Sequence, residues 1–292
     1  MIKIFTDSDA NMPREYVDRY NIGIIPFGVS YGDETYHDDF YTLTAREFYK
    51  TCIERKAWPK TSQPMPAAYE AKFRPALEAG NDVICFCITS KFSGSYNSAV
   101  MARETLLEEF PDRKIEIIDT MRCMSIHGYI VYQACLLLEE GKEFEEIVSI
   151  MDSIKNDNIT FFSVDSLDYL QKGGRLGKGA ALLGSILSVK PILNFSDGEL
   201  KPHSKVRGKK NAMAEIVRVV LSVFADKNAD DYVGIVYSAG YDEDRKLLEA
   251  EFTAKGIKIQ HNWDIGPVVG AHLGPTGYGV TFVRKYEGQN IL

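Results

Sequence analysis

Apolar runs alternate with amphipathic stretches through the first half of this chain. Strand patterns lie at residues 2–6, 82–89 and 114–118, and the continuous apolar run at residues 82–89 is typical of a strand that is covered on both faces. Helical patterns follow the second and third of them, at residues 95–110 and 124–138. Strands that alternate with helices predict a doubly wound, mainly parallel α/β sheet for this half of the chain.

The second half of the chain has a different pattern. Strand patterns recur there, separated by two helical patterns, at residues 159–164, 191–195, 232–238, 257–263 and 278–284. Asp197-Gly198 lies between apolar runs, which is a strong signal for a β-hairpin and therefore for antiparallel pairing. We predict two domains, a doubly wound α/β domain over residues 1–157 and a mixed α+β domain over residues 158–292.

The composition is that of an ordinary globular chain. Of the 292 residues, 45% are hydrophobic and 26% are charged, and no uninterrupted apolar run is long enough for a membrane span. The formal net charge of −7 argues against a general nucleic-acid-binding protein. The N-terminus enters directly as a strand, and the five cysteines form no Cys-x-x-Cys pair. We therefore expect a cytoplasmic protein with reduced thiols and no metal site.

The second half of the chain is organised around the stretch at residues 165–210. This stretch contains a Gly-Gly break followed by Arg175, a small-residue helical pattern at residues 180–187, and a basic run that includes Arg207. Its glycines do not match the phosphate-binding P-loop, which ends in Gly-Lys-Ser/Thr. They do not match the dinucleotide fingerprint either, because that motif follows a strand. We therefore expect no nucleotide site.

The same stretch resembles the signature of the DegV family. The matching segments are Leu-Asp-Tyr-Leu, Gly-Gly-Arg, Lys-Pro-Ile-Leu, Asp-Gly and Lys-x-Arg. Proteins of that family are bacterial fatty-acid-binding proteins, the acyl-carrying subunits of a two-part fatty acid kinase. The resemblance implies a lipid carrier without catalytic residues or cofactors, with one long-chain fatty acid in a tunnel between the domains. It also implies an ATP-dependent kinase partner that forms an acyl phosphate for phospholipid synthesis.

Thr61 and Ser93 are the candidate binding residues of the first half. Each precedes a predicted helix in a loop of the α/β domain, where free N–H groups and the helix dipole favour a carboxylate. On spacing alone, a helix cap or turn former is the commoner explanation. The segments Thr-Ser-Gln-Pro and Phe-Ser-Gly-Ser-Tyr, however, resemble the family's carboxylate-binding motifs. The resemblance implies that Thr61 and Ser93 hold the carboxylate, with Ser62 and Gly94 in the neighbouring pocket loops.

His272 is the candidate binding residue of the second half. It stands in the segment Gly-Ala-His-Leu-Gly-Pro-Thr-Gly, which we expect to be a loop that a ligand can approach closely. A single histidine is more often structural, but the segment resembles the family's Gly-x-His-x-Gly-Pro-Gly loop, with Thr276 in place of the last glycine. The resemblance implies that His272 completes the carboxylate site. It also implies that Arg175 and Arg207 dock the kinase partner, whereas solvated arginines are otherwise the default explanation.

The N-terminal segment supports an alternative function. A strand followed by Asp7-Ser8-Asp9 is similar to the Asp-x-Asp motif of haloacid-dehalogenase-type, Mg²⁺-dependent phosphatases, in which one aspartate is the nucleophile and the next is the general acid. That chemistry also needs a downstream lysine and an acidic pair, so the motif alone is a weak signal. We expect His127, in the helix after the third strand, to be structural.

Overall fold

The computed structural model describes residues 1–56, 58–177 and 189–289. The helix predicted at residues 180–187 lies outside the described residues. The chain forms two compact units. One contains Met1–Leu43, Thr61–Asn156 and the C-terminal segment from Tyr286, and the other contains Thr44–Lys60 and Asp157–Lys285. One change of unit falls between Asn156 and Asp157, and the division into domains 1–157 and 158–292 stays a prediction.

Helices and strands are interspersed along the whole described chain. Up to residue 156 they are β1 (Ile2–Asp7), α1 (Arg14–Arg19), β2 (Gly23–Ile25), β3 (Phe27–Tyr31), β4 (Glu34–Asp38), α2 (Ala45–Arg55), β5 (Lys60–Ser62), α3 (Pro66–Glu78), β6 (Asp82–Cys87), α4 (Ser95–Glu109), β7 (Ile115–Asp119), α5 (Met124–Glu139) and α6 (Phe144–Ile154). From residue 157 they are β8 (Asn158–Ser163), α7 (Asp168–Lys172), β9 (Val189–Ser196), β10 (Glu199–Arg207), α8 (Lys209–Phe224), β11 (Tyr232–Ser238), α9 (Asp242–Thr253), β12 (His261–Asp264), α10 (Pro267–Leu273) and β13 (Tyr278–Arg284).

The first unit is built on a parallel sheet with the strand order β2-β1-β6-β7, and a smaller sheet has the order β4-β3-β5. Side chains alternate between the faces of a strand. Phe5 of β1 packs edge-on against Phe73 of α3, with 4.9 Å between the ring centroids. Thr6 points to the opposite face, where its hydroxyl oxygen lies 2.9 Å from His127 Nε2 of α5. Helices therefore cover both faces, and the predicted doubly wound parallel sheet is confirmed.

The second unit is built on a mixed sheet with the order β10-β9-β8-β13-β11-β12. β11 and β12 pair parallel, whereas the other neighbours pair antiparallel. Asp197 and Gly198, both with positive φ, form the two-residue turn between β9 and β10. Ile216 of α8 and Phe252 of α9 are buried in the core of the sheet. The predicted hairpin and the mixed α+β architecture are confirmed.

Two segments of the second unit differ from the sequence predictions. The strand expected at residues 257–263 begins only at His261, because the side-chain oxygen of Gln260 accepts the Gly234 N–H at 2.6 Å. The segment around His272, expected as a loop, forms α10. Pro267 suits the first turn of a helix, and Gly274, with φ of 80°, follows its end.

No helix in the described part of the chain combines the length and the apolar character that crossing a bilayer requires.

Candidate functional site

Ser93 lies half-buried in the turn between β6 and α4. Its hydroxyl oxygen accepts the backbone N–H of Ser95 at 3.1 Å, a common serine arrangement at the start of a helix. Among the described residues, no acceptor takes the Ser93 hydroxyl proton, so this O–H is available to donate to a ligand. A hydroxyl donor beside the N-terminus of the fifteen-residue helix α4 favours an anion.

Thr61 lies half-buried in β5, at one side of the smaller sheet of the first unit. Pro64 and Pro66 follow it, and α3 begins only at Pro66, which occupies its first turn. The extended segment between Lys60 and Pro66 therefore places Thr61 five residues before the first residue of α3.

Gln63 joins the segment of Thr61 to the turn of Ser93. Its side-chain oxygen accepts the backbone N–H of Gly94 at 2.9 Å, and its side-chain nitrogen donates to Ser98 Oγ at 3.2 Å. Thr61 and Ser93 therefore lie on neighbouring segments of one unit. Our sequence analysis missed Gln63, although it belongs to the Thr-Ser-Gln-Pro segment that directed attention to Thr61.

A buried polar network lies next to the Ser93 turn. The Ser95 hydroxyl donates to Asp7 Oδ2 at 2.7 Å, and its oxygen lies 2.5 Å from the hydroxyl oxygen of Tyr69. The backbone N–H of Ile88 donates to the same oxygen of Asp7 at 3.0 Å. These bonds connect the ends of β1 and β6 to the first turns of α3 and α4, the two helices that follow Thr61 and Ser93.

His127 lies beside two buried aspartates, Asp7 and Asp9. Its Nδ1 lies 3.2 Å from Asp9 Oδ2, which also accepts the Met124 N–H at 3.0 Å. Burial alone would lower the pKa of His127, but the hydrogen bond to Asp9 and the charges of Asp7 and Asp9 outweigh it, and the pKa is raised. Burial is also the main reason that the pKa of Asp7 is raised to about 6. The cluster is an internal charge network of the first unit.

This network bears on the phosphatase alternative. One carboxylate oxygen each of Asp7 and Asp9 and one ring nitrogen of His127 lie within 4.8 Å of one another, a spacing that a metal ion could bridge. However, both ring nitrogens are engaged, by Asp9 and by Thr6, and the two aspartates are 0% and 1% exposed. A nucleophilic carboxylate must reach the phosphorus atom of its substrate, and a fully buried one does not. The geometry therefore disfavours the phosphatase function.

His272 belongs to the second unit, where it lies in the last turn of α10. A Cβ atom at Gly173, just after α7, would lie 2.2 Å from His272 Nδ1, so only glycine leaves room for the ring. Burial, with a smaller contribution from the charge of Arg175, lowers the pKa of His272 to about 4. The imidazole is therefore neutral near pH 7 and can offer a ring N–H to an oxygen ligand.

The two predicted docking arginines lie on different elements of the second unit. Arg175 follows α7, and its Nη1 donates to the carbonyl oxygen of Gly173 at 2.7 Å, which places it near His272. Arg207 ends β10 and is exposed, as is Lys205 on the same face of that strand. The second unit thus carries one arginine beside the candidate histidine and an exposed basic strand end.

Comparisons with known proteins agree with this architecture. The sequence model of the DegV family, described as a family of uncharacterised proteins, matches residues 1–285. A DegV domain-containing protein of Clostridium acetobutylicum is 34% identical over 287 residues, which cover 98% of this chain and 99% of the relative. A stearic-acid-binding protein from Eubacterium ventriosum has a crystal structure that matches with a TM-score of 0.92 at 32% identity, covering 99% of this chain and 100% of that chain. A fatty-acid-binding DegV family protein from Thermus thermophilus matches with a TM-score of 0.86 at 30% identity, covering 97% and 99%.

Proposed function

This chain belongs to the DegV family, and we propose that it is a carrier that binds one long-chain fatty acid in a buried tunnel. The observation that carries the proposal is the similarity, over nearly the full length of both chains, to a structure of a stearic-acid-binding protein. In this proposal Thr61, Ser93 and His272 hold the carboxylate, and Ser62 and Gly94 belong to the surrounding pocket loops. The uncommitted hydroxyl proton of Ser93 and the neutral imidazole of His272 support it, because both can donate to an anionic oxygen.

The two ends of the ligand have different tasks in this proposal. Each methylene removed from water contributes about 0.8 kcal/mol, so an acyl chain of about fourteen methylenes contributes on the order of 10 kcal/mol before entropic costs. A hydrogen bond to the charged head group contributes about 1.5–3 kcal/mol. The acyl chain therefore supplies most of the affinity, and the polar residues orient the carboxylate.

The chemical step belongs to a partner in this proposal. An ATP-dependent kinase docks on the second unit and transfers the γ-phosphoryl group of ATP to a carboxylate oxygen, which yields an acyl phosphate and ADP. The acyl phosphate then enters phospholipid synthesis in the cytoplasm. The lack of a P-loop or dinucleotide motif in the sequence is consistent with a carrier that leaves ATP binding to its partner.

Organic extraction of the purified protein, followed by mass spectrometry, is expected to yield about one long-chain fatty acid per chain. Ligands held mainly by buried methylenes dissociate slowly, so they remain bound through purification. Delipidated protein should take up one equivalent of the same acid. If protein saturated with candidate acids retains none, and instead releases phosphate from phosphomonoesters in the presence of Mg²⁺, the phosphatase function would replace the carrier function.

Replacing Arg207 with alanine is expected to leave fatty-acid binding unchanged and to raise the KM of the kinase for the loaded carrier about tenfold. Arg207 is exposed at a strand end, so its removal costs a charged contact with the partner but little packing. The measurement is ATP-dependent phosphorylation of the carried acid by a fatty acid kinase catalytic subunit. The matched control is Arg218→Ala, which removes an exposed arginine of α8 that pairs with Glu215. An equal KM for the Arg207 and Arg218 variants would exclude Arg207 from the docking surface.

A further inference from the structure

We propose that Gln63 is a positioning residue that sets the separation between the two hydroxyl groups of Thr61 and Ser93 and so gives the site its preference for a carboxylate. The inference rests on the proposed function, because it concerns the site to which that function assigns the head group. Gln63 itself need not touch the ligand; it acts through the two segments that it joins.

The positions of the two hydroxyl groups are determined by separate parts of the chain. Thr61 is held by β5, whereas Ser93 is held by the turn that opens α4. A carboxylate presents two oxygens at a fixed separation, and hydrogen bonds weaken steeply outside a narrow range of distance and angle. Two donors from separate segments therefore bind one carboxylate well only if something fixes the distance between the segments.

Gln63 supplies such a connection over a short path. It lies two residues after Thr61, and the N–H that it accepts belongs to Gly94, the residue after Ser93. Its side-chain nitrogen donates to Ser98 Oγ, one turn further along α4. One planar amide thus has a bond at each end, and the direction of both bonds is fixed, because the oxygen only accepts and the nitrogen only donates.

The close approach of Gly94 supports the same role. A Cβ atom at residue 94 would lie 2.4 Å from Gln63 Oε1 and 2.7 Å from Nε2, so any other residue at this position would push the amide of Gln63 away from the backbone. Because Gly94 has no side chain, the Gln63 amide can lie directly against the backbone at the start of α4. The pair Gln63 and Gly94 explains why a glycine follows Ser93 there, which the helix start alone does not require.

The test is discrimination between head groups. Binding of palmitic acid and of hexadecanol, which has the same chain length and no carboxylate, is measured for the wild-type protein and for Gln63→Ala. We expect the variant to bind the acid about tenfold more weakly, the loss of one well-aligned hydrogen bond to a charged group, and to bind the alcohol as the wild type does. The ratio of the two affinities should therefore fall about tenfold. If Gln63 had only a structural role, Gln63→Ala would lower the affinities for palmitic acid and hexadecanol equally.

Two further variants show whether the effect passes through the contact with Gly94. Gly94→Ala alone places a methyl group against the Gln63 amide and should lower the affinity for palmitic acid. The double variant Gly94→Ala/Gln63→Ala should bind palmitic acid no more weakly than Gln63→Ala alone. The matched control is Gln260→Ala, since the Gln260 side chain also accepts a glycine N–H, that of Gly234 in the second unit. This control should keep the wild-type ratio.

Gln63→Glu adds a pH signature. Glutamate keeps the side-chain shape, but its charge repels a nearby carboxylate and it loses the donor to Ser98. The affinity of this variant for the acid, relative to the wild type at the same pH, should therefore recover as the pH falls from 8 towards about 4, where glutamate is protonated. The relative affinity of Gln63→Ala should not change over this range.

The outcomes separate this inference from the proposed function. If Ser93→Ala lowers the ratio and Gln63→Ala does not, the carboxylate site stands and Gln63 has no positioning role. If the wild-type protein itself binds the acid no better than the alcohol, the head-group site of the proposed function is wrong. If both variants lower the ratio and Gln260→Ala does not, the positioning role is established.

Discussion

Octanoic acid is expected to bind this protein about ten-thousandfold more weakly than palmitic acid. The two acids carry the same carboxylate and differ by eight methylenes, and at about 0.8 kcal/mol for each buried methylene the difference is about 6 kcal/mol. The measurement is competition with a fluorescent fatty acid, at ligand concentrations below the onset of micelles. This is the largest effect that the proposed function predicts, because the function assigns most of the affinity to a buried acyl chain.

The matched control for this experiment is the corresponding pair of alcohols, octanol and hexadecanol. Both pairs differ only in the buried chain, so the alcohols should show the same loss of affinity per methylene. An affinity that hardly depends on chain length would mean that the acyl chain stays in water, and the tunnel would have to be abandoned. If the affinity rises with chain length only up to a particular length, that length would measure the depth of the tunnel.

Asp38→Asn is expected to change the free energy of unfolding, relative to the wild type, by about 4 kcal/mol more in the stabilising direction at pH 8 than at pH 3. Asp38, at the end of β4, is 1% exposed, and burial is the chief reason that its pKa is raised from 3.8 to about 7, to which the charges of Asp39 and Asp9 add. A raised carboxyl pKa means that the folded state holds the proton more tightly than the unfolded state. Stability is therefore lost as the pH rises from about 4 to about 7, by about 1.4 kcal/mol for each pH unit. Asparagine does not titrate and should not show this loss.

The measurement for Asp38 is the free energy of unfolding by urea, determined for both proteins across this pH range. The matched control is the neighbouring variant Asp39→Asn, because the fold shifts the pKa of Asp39 in the opposite direction from that of Asp38. Although burial acts to raise the pKa of Asp39, hydrogen bonds from Thr42 and Tyr41 outweigh it and lower the pKa. This variant should lose stability at neutral pH, since the carboxylate that it removes is favoured by the fold. Equal pH profiles for wild type and Asp38→Asn would show that Asp38 reaches solvent.

Asp38 and Thr61 belong to the same small sheet, with the strand order β4-β3-β5. A charge that is costly to bury at the end of β4 therefore lies in the element that carries a proposed ligand residue. If Asp38→Asn raises stability and leaves binding of palmitic acid unchanged, the Asp38 carboxyl group contributes neither to stability nor to binding at neutral pH. If binding of palmitic acid also changes, the charge of Asp38 affects ligand binding at Thr61 through the small sheet.

Local patterns were enough to predict most of the fold. The apolar run at residues 82–89, the helical pattern that opens at Ser95 and the Asp197-Gly198 turn all became the expected elements, because each depends on side chains within a few residues of one another. The segment of His272 was misjudged for the same reason. Its glycines suggested a loop, but Pro267 and the apolar residues after it favour a helix, and packing decided between the two.

The sequence by itself determined the classes of both sheets, and it nominated Thr61, Ser93 and His272 through a resemblance to a known family. Only the tertiary structure decided that Gln63 joins the segments of Thr61 and Ser93, and that Asp7, Asp9 and His127 share one buried network. It also decided that residues 44–60 group with the second unit. The physical reason is distance along the chain. Periodicity reports conformation over a few residues, whereas burial, pKa shifts and the Asp9–His127 bond arise between groups that lie far apart in sequence and meet only after folding.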